Sequence, residues 1–323
     1  MNKASDIISA SEKLKKLAGQ GREFTVSKQT VNRVESIEMV RTAREQGKQQ
    51  LVYSSRPFVL CGLPVKRPQK GVLKHLRRNG KFFLKVTGDP DLGLPFGQDR
   101  LIPIWVATLA IKQNNRFISF KSAAEILETF GLPKDGPHYR RLVDGFKRIF
   151  GATISFGTDQ QMRNAGMFDW TRFHFFDRMK IWYTKHLDQQ QLPSEDFQNQ
   201  ILLSENFWSE LQRHPIPIDL EAVKALANAP AQLDFYCWLV WRCWSAKGET
   251  SIPLSGEAGL MAQLGISEKT AARDFRIQVR KWLVKTKALW PGCPARLAGD
   301  GTALIVSHGR AIAARQPTAL LKP

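Results

Sequence analysis

The chain has 323 residues, a length that predicts about two domains. Hydrophobic residues make up 43% of it, which excludes a disordered protein, and 48 Lys plus Arg against 29 Asp plus Glu leave a net charge of +19. An excess this large is typical of proteins that bind a polyanion, because neutralised phosphates release counterions. A solvating surface charge or a single basic tail is the alternative.

The cysteines and the hydropathy pattern bear on the compartment. The four cysteines form no CxxC pair, and no apolar run approaches the length of a membrane span. We therefore expect a soluble cytoplasmic protein with neither a disulfide scaffold nor a membrane partner.

Residues 1–90 are expected to form a basic, only partly ordered N-terminal arm. Between Val65 and Val86 the chain carries eight cations and no acid. This pattern favours an arm that tracks DNA phosphates, with a solvated loop as the alternative. The expected phosphate contacts of the arm are Lys66, Arg67, Lys70, Arg77 and Arg78.

Residues 91–187 predict a first compact unit. Ser122 followed by Glu125 is a capping box, and the Gly- and Pro-rich stretch 131–137 must be a turn. Apolar periodicity predicts helices over 102–111, 122–130 and 139–150, and strands over 116–120, 152–156 and 168–176.

Residues 201–309 predict a second unit after a polar linker over 188–200, with a C-terminal tail over 310–323. Its turn lies at Gly265-Ile266, and Gly299-Asp300-Gly301 is a hairpin signal. Helices are predicted over 231–244, 255–264 and 267–285, and strands over 249–254, 295–297 and 302–306.

The two units repeat each other with an offset of about 133 residues. Phe130-Gly131-Leu132 matches Leu264-Gly265-Ile266 at the turn between the last two helices of each unit. The order helix, strand, helix, turn, helix, hairpin is that of a winged helix, whose last helix enters a major groove. We therefore predict an α+β fold of two tandem winged-helix (helix-turn-helix) domains.

The helix predicted over 267–285 carries the clearest candidate site. Ala272, Phe275, Val279 and Leu283 form its expected buried stripe, while another face presents Lys269, Arg273, Arg276 and Arg280. Four like charges on one face repel, and phosphates or guanine edges would relieve that repulsion, although a solvated face is the alternative. Ser267 and Thr270 lie in the first turn, where base contacts are expected.

The corresponding helix of the first unit is less clear, because Asp144 interrupts its basic face. Whether this helix reads bases or forms a dimerisation or host-protein surface stays open. Arg163 is expected to contact the DNA backbone from the hairpin. The candidate residues on and before the helix are Lys134, His138, Tyr139, Arg140, Arg141, Lys147 and Arg148.

Signatures of catalysis are missing from the sequence. There is no P-loop and no HExxH, the six histidines are scattered, and no carboxylate triad stands out. We expect a protein that is not an enzyme and has no cofactor and no metal.

The sequence resembles the RepA-type replication initiators of broad-host-range plasmids from about Leu92 to His308, some two thirds of the chain. The resemblance rests on blocks in both units. They are LPFG at 94–97, RLIPIWVAT at 100–108, FGL at 130–132, RIF at 148–150, LSENFW at 203–208, HPIPIDL at 214–220, LDFYCWL at 233–239 and DFR at 274–276.

The resemblance implies a protein that binds repeated origin sequences (iterons) in double-stranded DNA, opens the origin and recruits host replication proteins such as the initiator and the helicase. It also implies a homodimer that represses its own promoter. A plain transcriptional repressor is the competing interpretation, and an enzyme such as a relaxase or primase is a distant third. Repressors usually obtain two half-site contacts by dimerising one module, whereas this chain carries two modules.

Overall fold

The structure, a computed structural model, describes residues 28–162, 165–181, 198–266 and 270–312. It confirms a mixed α+β protein in which helices and antiparallel strands alternate along the chain. No helix in the described part of the chain is both long and apolar enough to cross a lipid bilayer.

The region predicted as a partly ordered arm contains regular structure from residue 28 onward, which corrects that expectation for these residues. Asn79-Gly80 is a hairpin signal, and Gly80 has φ +58, so the chain turns tightly there. Leu84 and Val86 alternate into the core. The elements are α1 (Lys28–Glu45), β1 (Leu51–Ser55), α2 (Arg56–Cys61), β2 (Lys74–Asn79) and β3 (Phe82–Thr87).

The first predicted unit has its expected order of elements, with ends displaced by a few residues. One half of the predicted capping box forms, since Glu125 accepts a hydrogen bond from the Ser122 N–H at 3.0 Å, whereas the Ser122 hydroxyl oxygen accepts from the Ala124 N–H at 3.1 Å. After a 3₁₀ turn (Gly97–Arg100) come α3 (Leu101–Gln113), β4 (Phe117–Phe120), α4 (Ala124–Thr129), α5 (Gly136–Gly151), β5 (Thr153–Met162), β6 (Ala165–His174) and β7 (Phe176–Lys180).

The sheets of this unit differ from the expected pattern. β5 and β6 form a hairpin that joins β2 and β3 in a four-stranded sheet of order β2-β3-β5-β6. β4 pairs instead with β8 (Asn199–Leu203), which also pairs with β7. The last two residues of the predicted linker thus lie in a strand of the first unit, and residues 182–197 lie outside the described part.

The second unit contains α6 (Glu205–Arg213), β9 (Pro215–Asp219), α7 (Leu220–Leu226), α8 (Pro230–Ser245), β10 (Thr250–Pro253), α9 (Leu260–Gln263), α10 (Ala272–Leu289), β11 (Arg296–Leu297) and β12 (Ala303–Val306). Its last three strands form a sheet of order β10-β12-β11, and the hairpin predicted around Asp300 is confirmed. Two predicted helices start later than expected. α9 begins at Leu260 because Gly256, at φ +93, interrupts the chain, and α10 begins at Ala272 rather than at residue 267.

Several long-range contacts hold the two units and the N-terminal segment together. β1 pairs antiparallel with β9 along its whole length, from Leu51 opposite Asp219 to Ser55 opposite Pro215. Arg100 before α3 forms an ion pair with Asp234 of α8. Arg44 at the end of α1 donates to the carbonyl oxygens of Arg310 and Ala311, so the predicted tail begins with anchored backbone. The buried side chains form one continuous core across both units.

Candidate nucleic-acid interface

Helix α10 exposes two of the four cations predicted on its basic face, Arg273 and Arg280. Phe275, Val279 and Leu283 are buried as expected, whereas Ala272, the first residue of the helix, is exposed. Trp282 is also buried and packs against Phe235 of α8, with ring centroids 5.4 Å apart. This packing turns Arg273 and Arg280 to solvent. The two exposed guanidinium groups lie two helical turns apart along one side of the helix.

Arg276 lies against the hairpin between β11 and β12. Its Cδ atom would be 2.9 Å from a Cβ on Gly301, so a side chain at that position would collide with it. Next to it, hydrogen bonds from the Thr302 backbone and hydroxyl groups lower the pKa of Asp300, and the charge of Arg276 lowers it further. Arg276 therefore links the basic face of α10 to the hairpin.

The segment just before α10 is described only in part. Ser267 and Lys269, two predicted contacts, lie outside the described residues. Thr270 is half-buried and precedes the helix. The first turn of α10 therefore begins at Ala272, which places Arg273 at the end of the helix nearest the turn.

Two apolar side chains on the same helix were missed by the sequence analysis. Ile277 is 40% exposed and Val284 is 54% exposed. With Arg273 and Arg280 they follow i, i+4, i+7, i+11 spacing, so they lie on one face. The sequence signal that could have revealed them is the presence of apolar residues within an otherwise polar helix face. An exposed methyl-bearing side chain can contact the methyl group of thymine in a major groove.

Helix α5 of the first unit also exposes cations. Arg140, Arg141 and Lys147 are exposed, and Asp144 lies exposed among them, as the sequence predicted. Arg141 donates to the side chain of Gln98 at 3.2 Å. The face is basic, but unlike the exposed face of α10 it contains a carboxylate, that of Asp144.

Of three residues predicted at the start of α5, two have local partners and one is half-buried. Asp135 caps the helix by accepting from the His138 N–H at 2.9 Å, and its carboxylate also contacts the His138 ring. Lys134 forms a 2.9 Å ion pair with Glu128. Tyr139 is half-buried, and burial raises the pKa of its phenol.

Arg148 has a partner that no local pattern could reveal. Its guanidinium donates to both carboxylate oxygens of Asp99, at 2.7 and 2.9 Å, and lies over the ring of Phe96. Only 4% of the Asp99 side chain and 14% of the Arg148 side chain are exposed. Arg148 is therefore mostly buried and not part of the exposed face.

The predicted DNA contacts of the N-terminal segment also divide into exposed and buried residues. Lys66, Arg67 and Lys70 are exposed. Arg78 is exposed on β2, with Asp159 at 3.5 Å. Arg77, which precedes Arg78 on the strand, points to the opposite face and is 5% exposed. Arg163, the predicted hairpin contact, lies outside the described residues.

The outer face of the sheet β2-β3-β5-β6 brings the predicted contact Arg78 together with exposed residues that the sequence analysis did not assign, among them Leu76 and Trp170. Cross-strand pairing places Leu76, Lys85 and Arg172 in one row and Arg78 and Trp170 in the next. All five are exposed. This face adjoins the β5-β6 hairpin and enlarges the basic surface of the first unit.

Clusters that could bind a metal were also considered. In the described ranges, no three His, Cys, Asp or Glu side chains gather closely enough to hold an ion.

Comparison with known proteins bears on the family. Residues 138–252, about a third of the chain, match the family model described as plasmid encoded RepA protein. The match runs from α5 to β10, and it confirms the resemblance to RepA-type plasmid initiators. None of the curated proteins matches the chain.

Two crystal structures are similar to this chain. One contains selenomethionine derivatives of domains 2 and 3 of RctB, with 12% identity and a TM-score of 0.48, covering 72% of this chain and 85% of that one. The other contains RctB domains 2–3, with 13% identity and a TM-score of 0.46, covering 75% and 92%.

Proposed function

We propose that this RepA-like chain is a plasmid replication initiator that binds repeated origin sequences in double-stranded DNA. The observation that carries the proposal is the exposed face of α10, where Arg273, Ile277, Arg280 and Val284 lie side by side. A helix that offers paired guanidinium groups and apolar contacts has the chemistry to bind guanine edges and thymine methyls together. The +19 net charge supplies the non-specific attraction to phosphates.

Two winged-helix modules, over 91–187 and 201–309, belong to the same proposal. The order of α8, β10, α9, α10 and the β11-β12 hairpin supports this for the second module. In the first, α3, β4, α4, α5 and the β5-β6 hairpin follow the same order, although β4 pairs with β8 rather than with the hairpin. Gly131 and Gly265 support the duplication, because both have positive φ, +63 and +56, in equivalent turns.

The contribution of each module is assigned from its surface. α10 is the base-reading helix. α5 makes mainly backbone contacts through Arg140, Arg141 and Lys147, because Asp144 would repel phosphates or guanine edges close to it. Lys66, Arg67, Lys70 and Arg78 add phosphate contacts from the N-terminal segment. The protein acts in the bacterial cytoplasm, without catalysis, and recruits host replication proteins to the opened origin.

A plain repressor would use the same helices, so only a replication assay distinguishes an initiator from a repressor. An initiator supports replication of a plasmid that carries its origin when supplied in trans, whereas a repressor only silences a promoter. Arg273→Ala should abolish both replication and repression, since both need the same DNA contact.

The direct test measures DNA affinity. Duplexes selected by the full chain from a random pool are titrated with the wild type and with Arg273→Ala, Arg280→Ala and Lys112→Ala, each removing one exposed cation. A base-reading arginine should cost about 1–3 kcal/mol on the selected duplex and little on unrelated DNA. Lys112 lies at the end of α3, outside both basic helices, so its variant should bind almost normally. Equal affinity of all four proteins on the selected duplex would refute the proposal.

A further inference from the structure

We propose that Arg77 is a positioning residue that locks the turn of the second unit to the sheet of the first, and so sets one spacing between the two DNA half-sites. This inference rests on the proposed function. It adds a determinant of site geometry to the residues that contact DNA.

The first observation is the fit between Arg77 and Gly265. Gly265 lies in the turn between α9 and α10, at φ +56. A Cβ atom there would overlap the guanidinium carbon and two nitrogens of Arg77, so the planar group lies flat against the glycine backbone. In the equivalent turn of the first unit, Gly131 has φ +63 and no atom within 4 Å of a Cβ position. The contact is therefore specific to the second turn.

The second observation is the burial of Arg77. Its Nε donates to His75 Nε2 at 3.2 Å, and another nitrogen points to the Leu63 carbonyl oxygen at 3.5 Å. Arg100 donates to the same oxygen at 3.1 Å and pairs with Asp234 of α8. Burial lowers the pKa of Arg77, whereas Asp234 raises it. Keeping a guanidinium in this place is costly, which indicates a role that a smaller apolar side chain would not fill.

The third observation is the route from Arg77 to the two helices. Arg77 pairs with Leu84 of β3, which pairs with Phe156 of β5, and β5 follows α5 directly in the chain. On the other side, Gly265 is close in sequence to the start of α10 at Ala272. The arginine thus lies between strands that lead back to α5 and a turn that precedes α10 by a few residues.

A rigid connection makes a prediction about DNA. Two recognition helices fixed relative to each other can bind only half-sites whose separation and rotation match. Inserting two base pairs between the half-sites moves one of them by about 7 Å and turns it by about 70°. A rigid protein loses one contact on such a duplex, whereas a loosely joined one keeps both.

The spacing test uses the full chain and the duplex it selects from a random pool. The wild type should lose at least about 10-fold in affinity when two base pairs are inserted at the centre of the site. Arg77→Ala should lose at most about half as much, while β1–β9 pairing and the Arg100–Asp234 ion pair still join the two units. Arg78→Ala is the matched control, because it removes the same charge from the exposed face of the same strand. That variant should weaken binding to every duplex alike and keep the 10-fold loss.

An Arg77→Ala protein with the wild-type insertion penalty would overturn the inference while leaving the proposed function intact. A wild type that prefers no duplex over unrelated DNA would overturn the proposed function and the spacing role with it.

A second comparison, made without DNA, tests the contact itself. Gly131→Ala and Gly265→Ala introduce similar backbone strain, but only the second collides with Arg77. Its melting temperature should be at least about 4 °C below that of Gly131→Ala. Arg77→Ala in the Gly265→Ala background should recover much of that difference. Equal melting temperatures of the two glycine variants would show that Arg77 does not hold the turn.

Discussion

The buried pair of Asp99 and Arg148 yields the most specific prediction about stability. Replacing Arg148 with alanine removes both hydrogen bonds to the Asp99 carboxylate, which then keeps only the Phe96 N–H, at 2.9 Å. Only 4% of the Asp99 side chain is exposed, so the carboxylate loses its donors at a poorly solvated site. Breaking a buried ion pair from one side costs about 3–5 kcal/mol. We expect Arg148→Ala to lower the free energy of unfolding by that amount.

Urea unfolding followed by tryptophan fluorescence measures the effect, with Lys147→Ala as the matched control. Lys147 is the neighbouring cation on α5 and is exposed, so its loss should cost less than about 0.5 kcal/mol. Asp99→Asn combined with Arg148→Ala should be less destabilised than the sum of the two single variants, because the orphaned charge is gone. A cost below about 1 kcal/mol for Arg148→Ala, or strict additivity in the double variant, would refute the reasoning.

Three further predictions concern stability. Phe275→Ala should lower the free energy of unfolding by about 3–5 kcal/mol and make α10 protease-sensitive, because the side chain is 0% exposed. Lost DNA binding with a normal melting temperature would mean that the helix faces are assigned wrongly. Burial, followed by the charge of Arg77, lowers the pKa of His75 to about 4, from 6.5 in the unfolded chain. The stability that the neutral His75 contributes is thus present above pH 6.5 and is lost as the pH falls through about 4. On acidification, the free energy of unfolding of the wild type should fall by up to about 3 kcal/mol more than that of His75→Asn. Parallel pH profiles of the two proteins would contradict this. Circular dichroism should show that a fragment beginning at residue 201 is unfolded, since it lacks β1, the partner of β9, and Arg100, the partner of Asp234. A cooperative thermal transition in that fragment would count against this.

The helices that carry the candidate site were predictable, because their signals are local. Apolar residues at helical spacing indicated α5 and α10, and a glycine before each helix indicated the turn that separates it from the preceding helix. Within α10, the exposed Ala272 is the exception to the predicted buried stripe, and it is the first residue of the helix.

The N-terminal region was not predictable, because its structure depends on partners far away in the chain. β1 pairs with β9, far away in sequence, and the local β2-β3 hairpin becomes part of a sheet only when β3 pairs with the distant β5. Charge patterns misled for the same reason. Arg77 and Arg148 look like their exposed neighbours until Gly265 and Asp99 are placed beside them.

The central claim, that α5 and α10 contact one DNA site together, is tested most directly by hydroxyl-radical footprinting of the full chain on its selected duplex. We predict two protected patches on one face of the DNA, about one helical turn apart. Arg273→Ala should lose protection in one patch and Arg140→Ala in the other. A single patch that only Arg273→Ala weakens would contradict the account, because the first unit would then not contact DNA.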